Sequence, residues 1–193
     1  MNVAAALGAA EVHVQDRYLN AAQVAALLEC ALARRARGGF HAAKVGSQQN
    51  LRHDAQVRGD ATCWLSEPLY LAERQLLEQL EELRLALNRD LFLGLFDLEL
   101  HYAWYAPGTG YERHLDQPLG SSTRQVSLVL YLNEAWSSGE GGELRFYEKD
   151  GSSRDIAPIG GRLVCFRTPG REHGVLSAGR DRFSLSGWFR LRR

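Results

Sequence analysis

The sequence lacks the features of a membrane protein or of a disulfide-stabilised secreted protein. None of its apolar runs approaches the ~18 residues that a membrane-spanning helix needs. Its three cysteines, Cys30, Cys63 and Cys165, are odd in number and widely spaced, which disfavours both a disulfide scaffold and a structural zinc site. The apolar stretch 1–10 lacks the basic start of a signal peptide. We therefore expect a cytoplasmic protein that has no membrane partner.

The chain also has no formal net charge at pH 7. Lysine and arginine together number 23, as do aspartate and glutamate, so the formal charge is +0. No overall electric field favours a nucleic acid, and we expect no nucleic-acid partner. The length of 193 residues suits a single domain spanning 1–193. The function must accordingly be sought in a local site.

Two helices are predicted in the first half of the chain. Residues 20–37 open with a capping asparagine, carry one apolar face and are followed by two glycines. Residues 66–88 open with Ser66 as a cap and have Pro68 in the first turn, where its missing N–H costs nothing. The second helix should pack on a sheet through an apolar stripe. That stripe comprises Leu69, Leu76, Leu80, Leu83 and Leu87.

The chain between these helices is irregular. Residues 40–60 mix glycine, polar residues and both charges, which predicts a long loop or a loosely paired ribbon. Loops of this length usually have a functional task. The segment ends in Arg58-Gly59-Asp60, a tripeptide that some proteins use for cell adhesion. Because secretion signals are missing, we favour a local turn or a salt bridge.

From Phe96 onward the apolar pattern changes from the helical period to a period of two. Helices followed by strands predict an α+β fold. A double-sheet jelly roll, or double-stranded β-helix, matches the number and spacing of the strands. We expect a helical and loop part over 1–95 that supports a jelly-roll catalytic core over 96–193. The predicted strands lie near 98–105, 124–133, 143–147, 154–157, 162–167 and 183–191.

A candidate metal site lies in the segment 111–116. His114 and Asp116 share a face if this segment is extended, since residues two apart point the same way. Together with the distant His173 they form the open-sided ligand set of non-haem iron oxygenases. Taken singly, each histidine also fits a structural role, and Asp116 also fits an Asx-turn. The complete set is what favours iron.

The last predicted strand supplies a candidate anion site. Its period of two places Arg182, Ser184, Ser186 and Trp188 on one face. Inward-facing polar groups of this kind are unsatisfied unless a ligand meets them, and a guanidinium matches a carboxylate. Tyr131, on another strand, fits either a second hydrogen-bond donor to that carboxylate or an ordinary strand aromatic.

Several motifs together resemble a known family, the iron and 2-oxoglutarate dependent dioxygenases. The resemblance is narrower to the oxygen-sensing (HIF-type) prolyl hydroxylases and their bacterial relatives, and it covers residues 51–189. The motifs that carry it are His114-x-Asp116, His173, Arg182-x-Ser184, Gly187-Trp188-Phe189, the segments 105–116, 130–133 and 141–145, and Val57-Arg58-Gly59-Asp60 followed by Trp64.

The resemblance implies roles for individual residues. His114, Asp116 and His173 match the catalytic iron ligands. Arg182 and Tyr131 match the pair that binds the distal carboxylate of 2-oxoglutarate, Tyr105 matches a tyrosine near its metal-bound end, and Ser186 belongs to the same cosubstrate wall. Arg124 matches an arginine at the substrate mouth whose expected partner is Asp60. The remaining substrate-side positions are Val57, Arg58, Tyr111 and Trp188, and the loop before Asp60 becomes a flap over the substrate.

The function that the resemblance implies is hydroxylation of a prolyl residue in a protein substrate. The reaction would consume 2-oxoglutarate and O₂ at Fe(II), with ascorbate as reductant, and would yield hydroxyproline, succinate and CO₂. For a bacterial relative, elongation factor Tu is a candidate substrate. Two alternatives stay open, namely the same chemistry on free proline or another small metabolite, and a non-catalytic sensor that binds 2-oxoglutarate and metal.

Two departures from the family pattern are visible. His101 shares a strand face with Tyr105, at a position where an aliphatic residue is expected, and we favour a supporting or packing role over that of a fourth ligand. The chain also ends at Arg193, directly after the last predicted strand and without the C-terminal helix of the animal enzymes. Their mode of substrate recognition need not transfer.

Overall fold

The computed structural model describes residues 3–9, 12–45, 53–117 and 123–192. The helices in these ranges are α1 (Val3–Ala9), α2 (Ala21–Ala36) and α3 (Leu71–Leu91). The strands are β1 (Val12–Gln15), β2 (His41–Ala42), β3 (Asp60–Trp64), β4 (Asp97–Tyr105), β5 (Tyr111–His114), β6 (Arg124–Tyr131), β7 (Leu144–Tyr147), β8 (Ser153–Ile156), β9 (Leu163–Arg167), β10 (His173–Val175) and β11 (Arg182–Arg190).

The strands form two antiparallel sheets. The larger sheet has the strand order β1-β9-β6-β11-β4-β3-β2, and the smaller has the order β5-β10-β7-β8. One apolar core lies between the helices and the larger sheet and includes Leu27, Leu80 and Leu185. A second core lies between the two sheets and includes Phe146 and Phe166. The predicted α+β class is confirmed, and the layers are consistent with a jelly roll.

Helix α2 forms as predicted. The side chain of its cap, Asn20, accepts a hydrogen bond from the backbone N of Gln23 at 3.0 Å, and the Gln23 side chain accepts one from the backbone N of Asn20 at 3.0 Å. This reciprocal capping box satisfies two backbone donors at the helix start. Val24, Leu27 and Ala31 are buried on the helix face that meets the core.

Helix α3 begins at Leu71 rather than at Ser66, so the predicted cap is wrong. The carbonyls of Ser66 and Pro68 accept hydrogen bonds from Arg34, which holds this segment outside the helix. The buried carboxylate of Glu73 instead accepts a hydrogen bond from the backbone N of Tyr70 at 2.9 Å and fixes the first turn. The predicted stripe is confirmed at Leu76, Leu80, Leu83 and Leu87, which are buried. Its first member, Leu69, is wrong, because it lies before the helix and is only partly buried.

The strands expected after Phe96 are present, but three further strands lie in the part predicted as helices and loops. Strand β1 pairs with β9, and β3 pairs with β4, so both extend the larger sheet. Residues 46–52 of the predicted loop lie outside the described residues. In the part of the chain that the structure describes, no helix is long and apolar enough to cross a bilayer.

The register of β3, β4 and β11 brings distant residues together on the face toward the smaller sheet. Tyr105 lies opposite Asp60 on one side and Arg182 on the other. His101 lies in the same way between Trp64 and Ser186. The side chains of β11 alternate as predicted, because Phe183 and Leu185 enter the helix-side core, whereas the side chains at positions 182, 186 and 188 line a cavity.

Candidate active site

Three potential metal ligands converge at one end of the smaller sheet. Strands β5 and β10 pair with His114 directly opposite His173, and Asp116 follows β5 after one residue. Nε2 of His114 lies 3.6 Å from Oδ1 of Asp116, and Nε2 of His173 lies 3.5 Å from Oδ2. The ligand atoms of the three residues all lie within 4.8 Å of one another. Two imidazoles and one carboxylate are the donor set of non-haem Fe(II) oxygenases.

The backbone orients both imidazoles for metal binding. Nδ1 of His114 lies 2.8 Å from the carbonyl oxygen of Glu112, and Nδ1 of His173 lies 3.0 Å from that of Arg171. A carbonyl oxygen only accepts, so we assign the proton to Nδ1 in each ring. This tautomer leaves the Nε2 lone pair available to a metal. The arrangement therefore fits Fe(II) in geometry as well as in ligand type.

Asp116 is held in its charged form. Burial opposes its ionisation, but His173 and His114 outweigh burial and hold the pKa of this carboxyl well below its ordinary value. Oδ2 also accepts a hydrogen bond from the hydroxyl of Ser127 at 2.7 Å, and that hydroxyl lies 2.9 Å from the one of Thr168. A charged, oriented carboxylate is the form that ligates a metal.

The two histidines have opposite pKa shifts. Burial lowers the pKa of His114. Burial also opposes the charged form of His173, but the neighbouring Asp116 carboxylate outweighs it and raises the pKa of that ring. A bound cation would compete with protons for both rings, since a metal takes the neutral imidazole.

Tyr111 connects the metal ligands to the segment before β3. Its ring lies flat on the imidazole of His114, with ring centroids 3.6 Å apart and an interplanar angle of 11°. The guanidinium of Arg58 covers its other side, 4.7 Å from the ring centre. The backbone follows the same path, because the backbone N of Glu112 donates to the carbonyl oxygen of Val57 at 2.9 Å.

The ligands open into a cavity of about 670 Å³ between the two sheets. Arg182 lies at its inner end and is 2% exposed. Its Nε donates to the carbonyl oxygen of Gly142 at 2.8 Å. The guanidinium carbon lies 4.9 Å from the ring centre of Tyr105 and 5.2 Å from that of Tyr131.

Arg182 has the environment of an anion-binding residue. Among the described residues, no carboxylate lies within ion-pairing distance of this buried guanidinium, and the hydroxyl of Tyr131 makes no hydrogen bond. A buried unpaired cation is strongly unfavourable until a counter-charge is provided. A carboxylate offers a two-pronged match to a guanidinium and can accept from a phenol at the same time. The cavity therefore fits a carboxylic acid that also reaches the metal ligands.

Comparison with solved structures gives a match over the whole chain. A prolyl-4-hydroxylase of Pseudomonas putida is 40% identical, superposes with a TM-score of 0.88, and is covered over 98% of its length by 99% of this chain. The family model of the 2OG-Fe(II) oxygenase superfamily matches residues 100–190, which contain all three candidate ligands. The chain belongs to the 2OG-Fe(II) oxygenase superfamily. Members of this family use Fe(II), 2-oxoglutarate and O₂.

More distant proteins agree with this assignment. A prolyl hydroxylase of Trichoplax adhaerens, solved with a peptide fragment of hypoxia inducible factor, shares the fold at 24% identity, with a TM-score of 0.87 over 98% of the oxygenase and 87% of that chain. Prolyl hydroxylase EGLN3 of Homo sapiens is 35% identical over 85 residues, which are 42% of the oxygenase and 35% of that protein. The Caenorhabditis elegans hypoxia-inducible factor prolyl hydroxylase is 36% identical over 85 residues, or 12% of its length. The oxygenase thus matches only a minor part of these curated relatives.

The structure brings most of the predicted site residues of the oxygenase into one cavity. Tyr131 is the exception, because it is fully buried behind Arg182 and does not line the open space. Tyr105 lies beside Arg182, and its expected position near the metal-bound end of the cosubstrate stays a prediction. The residues that line the cavity are Val57, Arg58, Asp60, Tyr105, Tyr111, His114, Asp116, Arg124, His173, Arg182, Ser186 and Trp188.

The expected pairing of Arg124 with Asp60 is wrong. Arg124 instead donates to Glu99, at 3.1 Å from Nε and 2.9 Å from Nη2. Asp60 is taken by Arg58, with contacts of 2.7 and 3.1 Å, which is the local salt bridge favoured from the sequence. Arg58 reaches Asp60 because it lies two residues earlier on the same face of one extended segment.

Four further residues of the site were not assigned a role from the sequence. Ser127 holds Asp116, Glu99 holds Arg124, and Gly142 holds Arg182 through its carbonyl. Trp64 lines the cavity near His101. The period of two puts Ser127 on the same face of β6 as Tyr131 and Glu99 on the same face of β4 as His101, so the sequence contains a signal for these two. The contact of Gly142 depends on a loop geometry that has no sequence period.

Proposed function

We propose that the protein hydroxylates a prolyl residue of a protein substrate, using Fe(II), 2-oxoglutarate and O₂, and that it releases succinate and CO₂. The observation that carries the proposal is the buried, unpaired Arg182 in the same cavity as the ligand set His114, Asp116 and His173. The substrate class is supported by the full-length similarity to a prolyl-4-hydroxylase. We further propose that the two sheets form a double-stranded β-helix around this site.

The residues of the cavity divide the work between two ends. His114, Asp116 and His173 would hold the metal through one face and leave its other positions to ligands. Arg182, which lines the cavity, would hold the far carboxylate of 2-oxoglutarate and so fix its orientation. The buried hydroxyl of Tyr131 beside it would donate to the same carboxylate once that group enters from the cavity. When bound, Fe(II), 2-oxoglutarate and O₂ supply the oxidising chemistry that the side chains lack.

The mouth of the cavity would position the substrate. Trp188 is held between the guanidinium of Arg124, 3.5 Å from its ring centre, and the imidazole of His101. The half-exposed ring of Trp64 at the same mouth offers a flat, rigid aromatic surface that suits the ring of a proline and loses little entropy on binding.

An assay of the purified protein tests the proposal. The protein is incubated with Fe(II), ascorbate, 2-oxoglutarate and overlapping peptides that each contain one proline of elongation factor Tu. We expect succinate formation together with a mass increase of ~16 Da on one peptide, as oxygen insertion requires. Arg182→Ala should abolish both signals while it leaves metal binding intact, because the arginine lies away from the ligands. Arg89→Ala, on the exposed face of α3, is the matched control and should behave as the wild type.

Each alternative gives a different outcome in this assay. Hydroxylation of free proline, without hydroxylation of any peptide, would show that the substrate is a small metabolite. Tight 2-oxoglutarate binding without succinate would indicate a sensor. Succinate production that is unchanged in Arg182→Ala would contradict the role of the cavity itself. We further propose a cytoplasmic location and elongation factor Tu as the substrate. Mass spectrometry of the host proteome with and without the gene, searched for prolyl peptides that gain ~16 Da, tests the substrate.

A further inference from the structure

Two buried polar atoms on neighbouring rings lack hydrogen-bond partners. Within the described ranges, neither Nδ1 of His101 nor Nε1 of Trp188 makes a hydrogen bond. A buried polar group that is left unpaired is destabilising, because it has lost its hydrogen bonds to water without gaining others. Both side chains line the active-site cavity. A ligand of this cavity is therefore the natural source of the missing partner.

His101 belongs to a stack of four side chains. The ring of Trp188 lies 5.5 Å from the imidazole at an interplanar angle of 27°, and the ring of Trp64 lies 4.7 Å from it on tilted planes. Arg124 covers Trp188 from the other side. Trp64 is 49% exposed, whereas His101 is 3% exposed. The stack thus extends from solvent at the cavity mouth to a fully buried imidazole.

The stack lies apart from the anchor for the far carboxylate. His101 precedes Tyr105 by four residues on β4 (105 − 101 = 4), and Tyr105 is the residue opposite Arg182. At ~3.3 Å per residue the separation along the strand is about 13 Å. A carboxylate bound at Arg182 therefore lies four residues along the strand from His101, and His101 needs a different partner.

The imidazole of His101 is neutral in this setting. Burial lowers the pKa of His101 to about 4, and the nearby Asp60 carboxylate opposes this shift only in part. A neutral imidazole donates at one ring nitrogen, whereas an indole N–H always donates. A carbonyl oxygen has two lone pairs, which are enough in number to accept one hydrogen bond from each ring.

We infer that His101 and Trp188 form a second polar anchor in the cavity, and that this anchor binds a backbone carbonyl oxygen of the peptide substrate. The inference rests on the proposed function, because it requires a peptide. The carbonyl satisfies both orphaned nitrogens, while the exposed aromatic faces of the stack hold the apolar part of the peptide. His101 is then a specificity-determining residue for the peptide, and its replacement should change the KM for the peptide rather than the KM for 2-oxoglutarate.

Two variants of equal size separate hydrogen bonding from packing. His101→Leu removes the polar edge, whereas His101→Asn keeps an amide near the position of Nδ1. The probes are the proline-containing peptides of elongation factor Tu, with KM from turnover and Kd from an anaerobic titration of a labelled peptide. We expect His101→Leu to raise both values about tenfold, the equivalent of one charge-free hydrogen bond. His101→Asn should bind the peptide nearly as well as the wild type. Trp188→Phe should raise the peptide KM and Kd about as much as His101→Leu does. The KM for 2-oxoglutarate should not change.

Peptides with altered carbonyls give the direct test. Each backbone oxygen is replaced in turn by sulfur, a weaker acceptor. At one position the replacement should weaken binding to the wild type but not to His101→Leu. His13→Leu is the matched control, since His13 is a buried histidine of β1 outside the cavity.

The outcomes also distinguish this inference from the function on which it rests. If the wild type hydroxylates neither these peptides nor any prolyl residue of the host proteome, the proposed function fails and the inference fails with it. If the wild type is active but His101→Leu and His101→Asn match it in peptide Kd, the inference alone is wrong. A rise in the KM for 2-oxoglutarate instead of the peptide KM would also overturn it, because it would assign His101 to the cosubstrate.

Discussion

The ring of Tyr111 lies parallel to the imidazole of His114 at a centroid distance of 3.6 Å. Because this contact limits the rotation of a metal ligand, Tyr111→Leu should weaken metal affinity about tenfold, the lower end of what residues that orient ligands contribute. Tyr111→Phe keeps the ring and should retain the affinity. Titration of the metal-free protein with Co(II), followed by its visible absorption, measures both.

Tyr147→Leu is the control for this prediction. Tyr147 also packs against an arginine, Arg113, at 4.7 Å, but it does not stack on a ligand histidine. Equal Co(II) affinities for Tyr111→Leu and Tyr147→Leu would show that the stack does not orient His114.

Asp60 should be energetically coupled to Arg58 and not to Arg124. Residues in one ion pair show coupling free energies of about 0.5–3 kcal/mol. For residues without shared partners, the changes in unfolding free energy caused by two substitutions are additive within ~0.3–0.5 kcal/mol. Double-mutant cycles with Asp60→Asn, Arg58→Gln and Arg124→Gln, measured by urea unfolding, report both couplings. A large coupling between Asp60 and Arg124 would contradict the observed pairing with Glu99.

Gly142 should be required for 2-oxoglutarate affinity. Its φ is +74°, and an added Cβ would lie 3.2 Å from Cδ of Arg182 and 3.1 Å from the ring of Trp136. Gly142→Ala should therefore displace Arg182 and raise the KM for 2-oxoglutarate about tenfold, the loss of one charge-assisted hydrogen bond. Gly151→Ala has a similar backbone strain, with a φ of +85°, but its Cβ would meet nothing within 4 Å. If both variants raised the KM for 2-oxoglutarate equally, backbone strain and not the displacement of Arg182 would explain the increase.

Glu73 should make the stability of the fold depend on acid pH. Burial opposes its ionisation, but hydrogen bonds from Arg34 and from the backbone of Tyr70 outweigh burial and lower its pKa below the ordinary 4.5. A carboxyl whose pKa is lower in the folded state stabilises the fold above its unfolded pKa and loses this effect as the pH falls through the folded value. Glu73→Gln should cost about 3–5 kcal/mol at neutral pH, as expected for a broken buried pair.

Urea unfolding between pH 7 and pH 3, in the presence of a chelator, tests this dependence. The difference between wild type and Glu73→Gln should shrink below pH 4.5. Glu78→Gln, on the exposed face of the same helix, should show no such difference. A pH-independent difference would assign the effect of Glu73→Gln to packing.

The parts of the site that the sequence predicts are those set by short periods. The spacing of His114 and Asp116 and the alternation along β11 require only a local strand, and the structure has both. The partner of Arg124 is a different case, because the choice between Asp60 and Glu99 depends on the register of strands that are distant in sequence. The start of α3 was missed for a related reason, since the interaction between Glu73 and Arg34 joins two helices. Strand β3 is mixed in polarity, and only its pairing with β4 makes it a strand.

The segment before β3 also covers one edge of the smaller sheet. The backbone N of Gly59 donates to the carbonyl oxygen of Gly110 at 2.9 Å, and the carbonyl oxygen of Val57 accepts from Glu112, so this segment occupies the free edge of β5. An edge that already has its hydrogen bonds cannot add a peptide as a further strand. A substrate peptide therefore cannot join the smaller sheet at β5, and side chains of the protein at the cavity mouth would recognise both the backbone carbonyl and the residues around the target proline.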